Sequence, residues 1–398
     1  MKAIGSRRIE QLGSAIFTEV EQWKLEAKQR SRSIIDLGIG SPDLPPSRAV
    51  VEALQHAVQD ESNYHYPSSE GSSEFRAKAA EWLMWRFGVE VDPADELLTL
   101  MGTQDGLAHL ALAICDPGDL AMVPDPGYPI YAGGLALAGV EPYYMPLTSD
   151  NAYLPRLDLI PPHIARQAKF MLLNYPSNPL AAVADMSFFE EVVAFGRQHD
   201  LLIVHDLAYC EMAFDGFRPP SILAVEGAKE IAVEFHSLSK SFNMAGCRIG
   251  FLAGRREAVQ ALRRLKGNID YGVFGAVQAA GIIALEEDMR EEGSAIAAVY
   301  AHRRDTFLEQ LAGYGWVIPV PAATMFVWAP IPEGWSSRNF ARELLLDTGV
   351  AVIPGDAFGR EGEGFVRIAL VQEEAVLEEA ARRIGEWIQG QARPPVII

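Results

Sequence analysis

Between Val50 and Leu285, short apolar runs bounded by Gly, Pro or Asp alternate with stretches at helical spacing, and that alternation restricts the chain to a sheet crossed over by helices. The runs from Leu97 to Leu100, Leu120 to Val123, Phe170 to Leu173, Leu201 to Val204, Ile231 to Phe235 and Ile249 to Leu252 are the predicted strands. Several are continuously apolar, which is the pattern of parallel strands covered on both faces. Ser47 is placed to cap a helix whose Val50, Val51, Leu54, Ala57 and Val58 form one stripe. A second amphipathic stretch runs from Ser73 through Phe75, Leu83 and Phe87, with Gly88 as its stop.

After Arg290 the pattern changes to a long charged helical segment. Apolar runs follow at Trp316 to Ile318, Met325 to Trp328, Val350 to Ile353 and Val366 to Leu370, with helices from Ser337 to Asp347 and Glu373 to Gln389. The reading is an α/β protein with a large three-layer domain on a mostly parallel sheet and a smaller α+β domain. The expected division is residues 1–45 as an N-terminal arm joining the small domain, 46–289 as the large domain and 290–398 as the small one. A length of 398 residues suits that division, and a cleft between the domains is the expected site.

Charge narrows the partners. Lys and Arg number 34 against 53 Asp and Glu, a net charge of −19 that repels phosphate backbones and anionic membranes, so nucleic acid and membrane are not expected partners. The charges among residues 1–24, Arg7, Arg8, Glu10 and Glu19 included, interrupt any apolar core of an export signal, and a cytoplasmic location is expected. Cys115, Cys210 and Cys247 are odd in number and widely spaced; they read as buried thiols, and no metal site is expected.

The chain contains no GxGxxG, GxxxxGK, HExxH or GxSxG. It has instead polar residues at the ends of its predicted strands, where open parallel sheets bind ligands. Ser237-Leu238-Ser239-Lys240 follows one strand, with Arg248 eight residues beyond the lysine. A desolvated lysine is a nucleophile toward carbonyls, and hydroxyls with an arginine suit a phosphate, although a single lysine is most often a solvated surface charge. Asp206 ends the run Leu201-Leu202-Ile203-Val204, with Tyr209 three residues on; it suits either a protonated ring nitrogen or the cap of a following helix. Gly102-Thr103-Gln104-Asp105-Gly106 opens an apolar stretch and could cradle an anion on free amides. Tyr175-Pro176-Ser177-Asn178-Pro179 and Asp125-Pro126-Gly127-Tyr128-Pro129 put rigid turns at the same edge.

Taken in this order and spacing, the segments resemble the pyridoxal-phosphate-dependent aminotransferases of fold type I, class I/II, from Ile35-Asp36-Leu37-Gly38 to Phe365-Val366-Arg367-Ile368-Ala369. Tyr66-Pro67-Ser68-Ser69-Glu70-Gly71, Pro124 to Pro129 and Glu234 to Lys240 are most similar to the LL-diaminopimelate aminotransferase-like subgroup and to related alanine and methionine aminotransferases. The resemblance implies pyridoxal 5′-phosphate as cofactor, with Lys240 forming a Schiff base with its aldehyde and moving the substrate proton. It implies Asp206 at the pyridine nitrogen, Asn178 and Tyr209 at the ring hydroxyl, and Tyr128 on the ring face. Thr103, Gln104, Ser237, Ser239 and Arg248 would hold the phosphate, joined by Tyr66 from a second subunit of a homodimer with shared active sites. Arg367, the Gly40 amide and Asn178 would clamp the substrate α-carboxylate.

The chain departs from that family's pattern at Leu180-Ala181, where Thr-Gly is usual, at Gln104, where the subgroup commonly has Lys, at Cys247 in place of Trp, and at Tyr271 in place of a small hydroxyl residue. The expected reaction moves an amino group between an L-amino acid and a 2-oxo acid, possible partners being LL-diaminopimelate and 2-oxoglutarate. A C–S lyase on the same fold shares Lys240, Asp206 and Arg367 and stays open as an alternative. A sensor that binds the cofactor without turnover is a third reading, which the absence of a basic patch disfavours.

Overall fold

Successive residues of the central strands enter two different cores, because side chains in a strand alternate between faces. Met122, Met171, Leu173, Ile203 and Phe251 join a cluster on one face. Val123, Phe170, Leu172, Val204, Val233, Phe235 and Leu252 join a second cluster on the other. The sheet is therefore covered on both sides, which is why its strands read as unbroken apolar runs. The protein is described by a computed structural model covering residues 5–10, 12, 15–30, 32–290 and 295–390.

The sheet has seven strands in the order Leu97–Leu100, Gly250–Gly254, Ala232–Ser237, Leu202–Asp206, Ala168–Asn174, Leu120–Asp125 and Glu141–Pro146. Gly250–Gly254 is antiparallel to both its neighbours and every other pairing is parallel. Three predicted strands extend past their apolar runs to polar ends, at Asn174, Asp206 and Ser237. The helix Arg48–Ala57 is capped by Ser47, whose side chain accepts from the Val50 amide, and the helix Ser73–Phe87 ends at Gly88 with φ 68°.

Glu141–Pro146 was not expected as a strand. It is the exposed edge of the sheet and carries two prolines, so it lacks the buried pattern. The run Trp316 to Ile318 is not a strand among the described residues; Pro319 and Pro321 follow it without amide donors, and the Trp316 indole donates instead to the Pro330 carbonyl at 2.8 Å. The run Val350 to Ile353 divides into Val350–Ala351 and Ile353–Pro354, which pair in different sheets. Of the three cysteines only Cys210 is fully buried; Cys115 and Cys247 are half-buried.

The second layer is a three-stranded antiparallel sheet of Ile353–Pro354, Phe365–Ala369 and Phe326–Pro330. Ile35–Asp36 pairs in parallel with Val350–Ala351, which brings the early chain against this part of the molecule. Helices Ala295–Gly313, Ser337–Thr348 and Glu374–Gly390 cover it around a core that includes Leu37, Tyr300, Phe307, Phe340 and Ile368. Among the described residues no helix is long and apolar enough to cross a membrane.

Candidate active site

The two-residue period that buries Leu172, Val204 and Phe235 places Asn174, Asp206 and Ser237 on the same face, at the carboxyl ends of three adjacent strands. Because Gly250–Gly254 runs the opposite way, the chain just before it, with Arg248, reaches the same edge. These ends meet a cavity of about 650 Å³ whose other wall comes from Gly38 to Gly40, Phe326 and Arg367. Of the thirteen site residues expected from sequence, the cavity is lined by twelve: Gly40, Thr103, Gln104, Tyr128, Asn178, Asp206, Tyr209, Ser237, Ser239, Lys240, Arg248 and Arg367. Tyr66 is outside it and 85% exposed, its ring 4.9 Å from that of Tyr271.

Asp206 is 5% exposed, and no helix follows it, so it caps none. One carboxylate oxygen accepts from the Tyr131 hydroxyl at 2.8 Å, and the other is buried with no hydrogen-bond partner among the described residues. Burial raises its carboxyl above the ordinary aspartate value, against the opposing Tyr131 hydrogen bond. The strand end is fixed from the side by Asn174, which donates to the Asp206 carbonyl at 2.8 Å and accepts from the Asn178 amide at 2.8 Å. Tyr131 and Asn174 were not among the expected site residues. Each reads locally as helix or strand content, and only pairing across the sheet brings them to Asp206.

Lys240 lies in the short helix Leu238–Ser241 and donates to the Gly40 carbonyl. Burial, followed by the charges of Arg367 and Arg248, lowers its ammonium to about 8 from an ordinary 10.5. The neutral amine that a nucleophile or proton acceptor needs is therefore far more populated near neutral pH than in an ordinary lysine. Arg367 is 4% exposed and donates to the Asn178 side-chain oxygen and the Gly38 carbonyl, both at 2.8 Å. Its guanidinium carbon is 4.3 Å from the centre of the Phe326 ring and 4.7 Å from that of Phe358. Its Nε has no partner, and among the described residues no carboxylate is within ion-pair distance. A buried guanidinium without a counter-anion is poised for one from outside.

At the other end of the cavity, Gly102 (φ 75°) precedes the helix Thr103–Ile114, and a Cβ there would be 2.4 Å from the Arg248 guanidinium. The left-handed φ disfavours any side chain there, and one would also have to displace that guanidinium. The first amides of a helix have no intrahelical acceptor, so Thr103 and Gln104 present donors beside the arginine. Arg248 itself has φ 54°, a left-handed conformation that disfavours side chains by about 1–2 kcal/mol, and its Nη1 donates to the Ala245 carbonyl at 3.0 Å. Ser237 accepts from the Ser239 amide at 3.2 Å. Gln104 accepts from the Tyr128 hydroxyl at 3.1 Å. Tyr209 is buried and its phenol is pushed well above the usual tyrosine range by that burial. Ala181, where glycine was anticipated, takes the left-handed φ of 54° nonetheless.

Residues 32–384 match the family described as aminotransferase class I and II. The chain belongs to that family. It is 46% identical over 380 residues to LL-diaminopimelate aminotransferase of Moorella thermoacetica, covering 95% of this chain and 97% of the other. Identity to the enzyme of the same name from Syntrophobacter fumaroxidans is 45%, covering 96% and 99%. Among solved structures, substrate-bound BacF from Bacillus subtilis superposes with a TM-score of 0.91 at 36% identity, covering 97% and 98%. A probable N-succinyldiaminopimelate aminotransferase from Thermus thermophilus does so with a TM-score of 0.86 at 42% identity, covering 93% and 99%.

This aminotransferase is thus an enzyme of amino-group transfer, in a family whose implied cofactor is pyridoxal 5′-phosphate. The cavity's own chemistry fits that group. It has an orphaned buried carboxylate oxygen for a protonated ring nitrogen and a lysine of depressed basicity for an aldehyde. It also has a side-chain-free glycine, helix amides and an arginine for a phosphate.

Proposed function

We propose that this aminotransferase takes LL-diaminopimelate as amino donor and 2-oxoglutarate as acceptor. The naming of its 42–46% identical relatives supports that choice. Pyridoxal phosphate supplies an electrophilic aldehyde and an electron-accepting ring. Asp206 would hold the ring-nitrogen proton through its free oxygen, Tyr209 and Asn178 would hold the ring hydroxyl, and Tyr128 would pack against the ring. Thr103 and Gln104 amides, Ser237, Ser239 and Arg248 would bind the phosphate. Arg367 binds the substrate α-carboxylate with Asn178 and the Gly40 amide, orienting the α-hydrogen toward Lys240. Lys240, its basicity lowered by burial, would accept that proton in its neutral amine form; with the amino group kept by the cofactor and a water supplying the new carbonyl oxygen, the donor would leave as a 2-oxo acid.

In this reading residues 1–45 are the arm, 46–289 the cofactor domain and 290–398 the small domain, of which 1–4, 11, 13–14, 31, 291–294 and 391–398 lie outside the described residues. A second copy of the chain places Tyr66 at the partner's phosphate, which gives its 85% exposed ring a role.

The observation that carries amino-acid transamination at this site is the buried Arg367, without a counter-anion, in one cavity with Lys240 and Asp206; the choice of donor follows the relatives. The test mixes the holoenzyme singly with LL-diaminopimelate, glutamate, alanine, methionine and aromatic amino acids and follows the cofactor spectrum. Fast half-reactions with LL-diaminopimelate and glutamate are expected. A faster reaction with alanine, methionine or an aromatic donor rejects the substrate assignment, and keto-acid release without any acceptor identifies a lyase.

A further inference from the structure

At the Arg367 end of the cavity, with Lys24 and Glu21 in its lining, lies an ion-pair cluster to which the proposed reaction gives no part. Lys24, on the helix Ala15–Gln29, has a side chain only 10% exposed, and its ammonium donates at 2.6 Å to Asp36 and at 2.6 Å to Glu21. Two other pairs, Arg338 with Glu19 at 2.9 Å and Arg342 with Glu26 at 3.0 Å, hold this helix on the helix Ser337–Thr348. Asp36 ends the strand whose backbone pairs with Val350–Ala351, so its side chain is not needed for that pairing. Its second oxygen accepts from the Gly38 amide at 2.9 Å. The Gly38 carbonyl then accepts from Arg367 at 2.8 Å, and two residues on the Gly40 carbonyl accepts from Lys240.

The segment has no slack. A Cβ on Gly38 would be 2.9 Å from the Ile353 side chain, and one on Gly40 would be 2.6 Å from the Phe326 ring that lies under Arg367. Withdrawing an ammonium and a carboxylate from water is unfavourable unless both are well paired, and a buried ion pair is weak evidence for stability. It fixes geometry instead. We propose that Lys24 and Asp36 are positioning residues for the substrate carboxylate site: Lys24 locks the Asp36 side chain, Asp36 locks Gly38, and Gly38 aims Arg367.

The proposal rests on Arg367 being the carboxylate site, and the experiment separates the two ideas. Glutarate, a carboxylate with no amino or oxo group, is titrated into the holoenzyme by calorimetry alongside steady-state kinetics. Lys24→Met and Asp36→Ala should each weaken glutarate binding and raise the substrate KM by about 10-fold, the scale of one misplaced charge-assisted hydrogen bond. kcat should change by less than about 3-fold with cofactor retention near the parent's, all measured well below the thermal midpoint, which loss of one partner of a buried pair lowers. The double variant Lys24→Met, Asp36→Asn should recover to within about 3-fold of the parent, because an asparagine oxygen still accepts from Gly38 and carries no charge for Lys24 to neutralise. Glutarate affinity within about 2-fold of the parent in both single variants overturns the proposal, as does a loss that follows cofactor release or melting instead of KM. Arg367→Lys should abolish glutarate binding; unchanged binding there overturns the carboxylate assignment and this inference with it.

Discussion

Two carboxylates are buried at the same edge of the central sheet, on opposite faces, and they are treated in opposite ways. Glu234, on the face away from the cavity, has all its acceptor positions engaged: Ser221 at 2.6 Å and His236 at 2.8 Å on one oxygen, His205 at 2.8 Å and the Ile222 amide at 2.9 Å on the other. Burial alone would raise its carboxyl, but the hydrogen bonds of His205 and His236 hold it far below the usual range. Asp206 has one partner, Tyr131, one empty oxygen and a raised carboxyl. Burial is common to both and decides nothing; partner count separates them. A saturated buried carboxylate is structural, whereas an unsaturated one reserves a position for a ligand.

The largest effect that bears on this contrast should come from the cavity side. Lys240→Ala is expected to lower turnover by at least about 10³-fold, since it removes both nucleophile and proton acceptor from the short helix Leu238–Ser241 without taking an apolar side chain from the core, with little change in the unfolding midpoint. Stopped-flow spectra and thermal melts of the same preparation check this. Turnover within 10-fold of the parent, on the rate scale of a minor contact, would assign the chemistry elsewhere.

The next effect is on stability, and its sign should differ between the two carboxylates. Glu234 has a folded-state affinity for protons below its unfolded one, so it contributes stability above about pH 4.5 that is lost as pH falls. Glu234→Ala should destabilise the protein at pH 7 by about 3–5 kcal/mol in urea unfolding. Asp206 is shifted upward, so its advantage exists only in acid and disappears as pH rises through the folded-state value. Asp206→Asn should therefore stabilise the cofactor-free protein at pH 7 by about 1 kcal/mol. Destabilisation by both substitutions to the same degree would erase the distinction.

A smaller difference should appear within the lysines. In the cofactor-free enzyme Lys240 should react with an acylating reagent along a titration curve centred near 8, displaced below the ordinary lysine curve at 10.5. Peptide mapping across pH 7 to 10 resolves the two curves. The smallest effect concerns Ala181. Its left-handed φ of 54° opposes the side chain, and relief of that strain is partly offset by the greater freedom of glycine in the unfolded chain, so Ala181→Gly should add about 0.5 kcal/mol.

The contrast between the two carboxylates also explains what could be read from the residues alone. Apolar runs exposed the sheet because both its faces are buried, and strand-end residues such as Lys240, Asn178 and Asp206 stood out as polar interruptions. The edge strand Glu141–Pro146 had no such run, and Trp316 to Ile318 had one that its prolines keep out of a ladder. Tyr131, Asn174 and Phe326 look locally like ordinary helix and strand residues. Their part emerges only when a hydroxyl meets Asp206, an amide spans two strand ends and a ring supports Arg367. The pair Lys24 and Asp36 is likewise a product of tertiary contact across 12 residues.

The empty oxygen of Asp206 is proposed to hold the proton of the cofactor ring nitrogen. Reconstitution with cofactor labelled with ¹⁵N in the ring, followed by nitrogen NMR at pH 8, measures that proton directly. A protonated nitrogen in the parent that becomes neutral in Asp206→Ala is the predicted result. A neutral nitrogen in the parent, or a protonated one in both proteins, would contradict it.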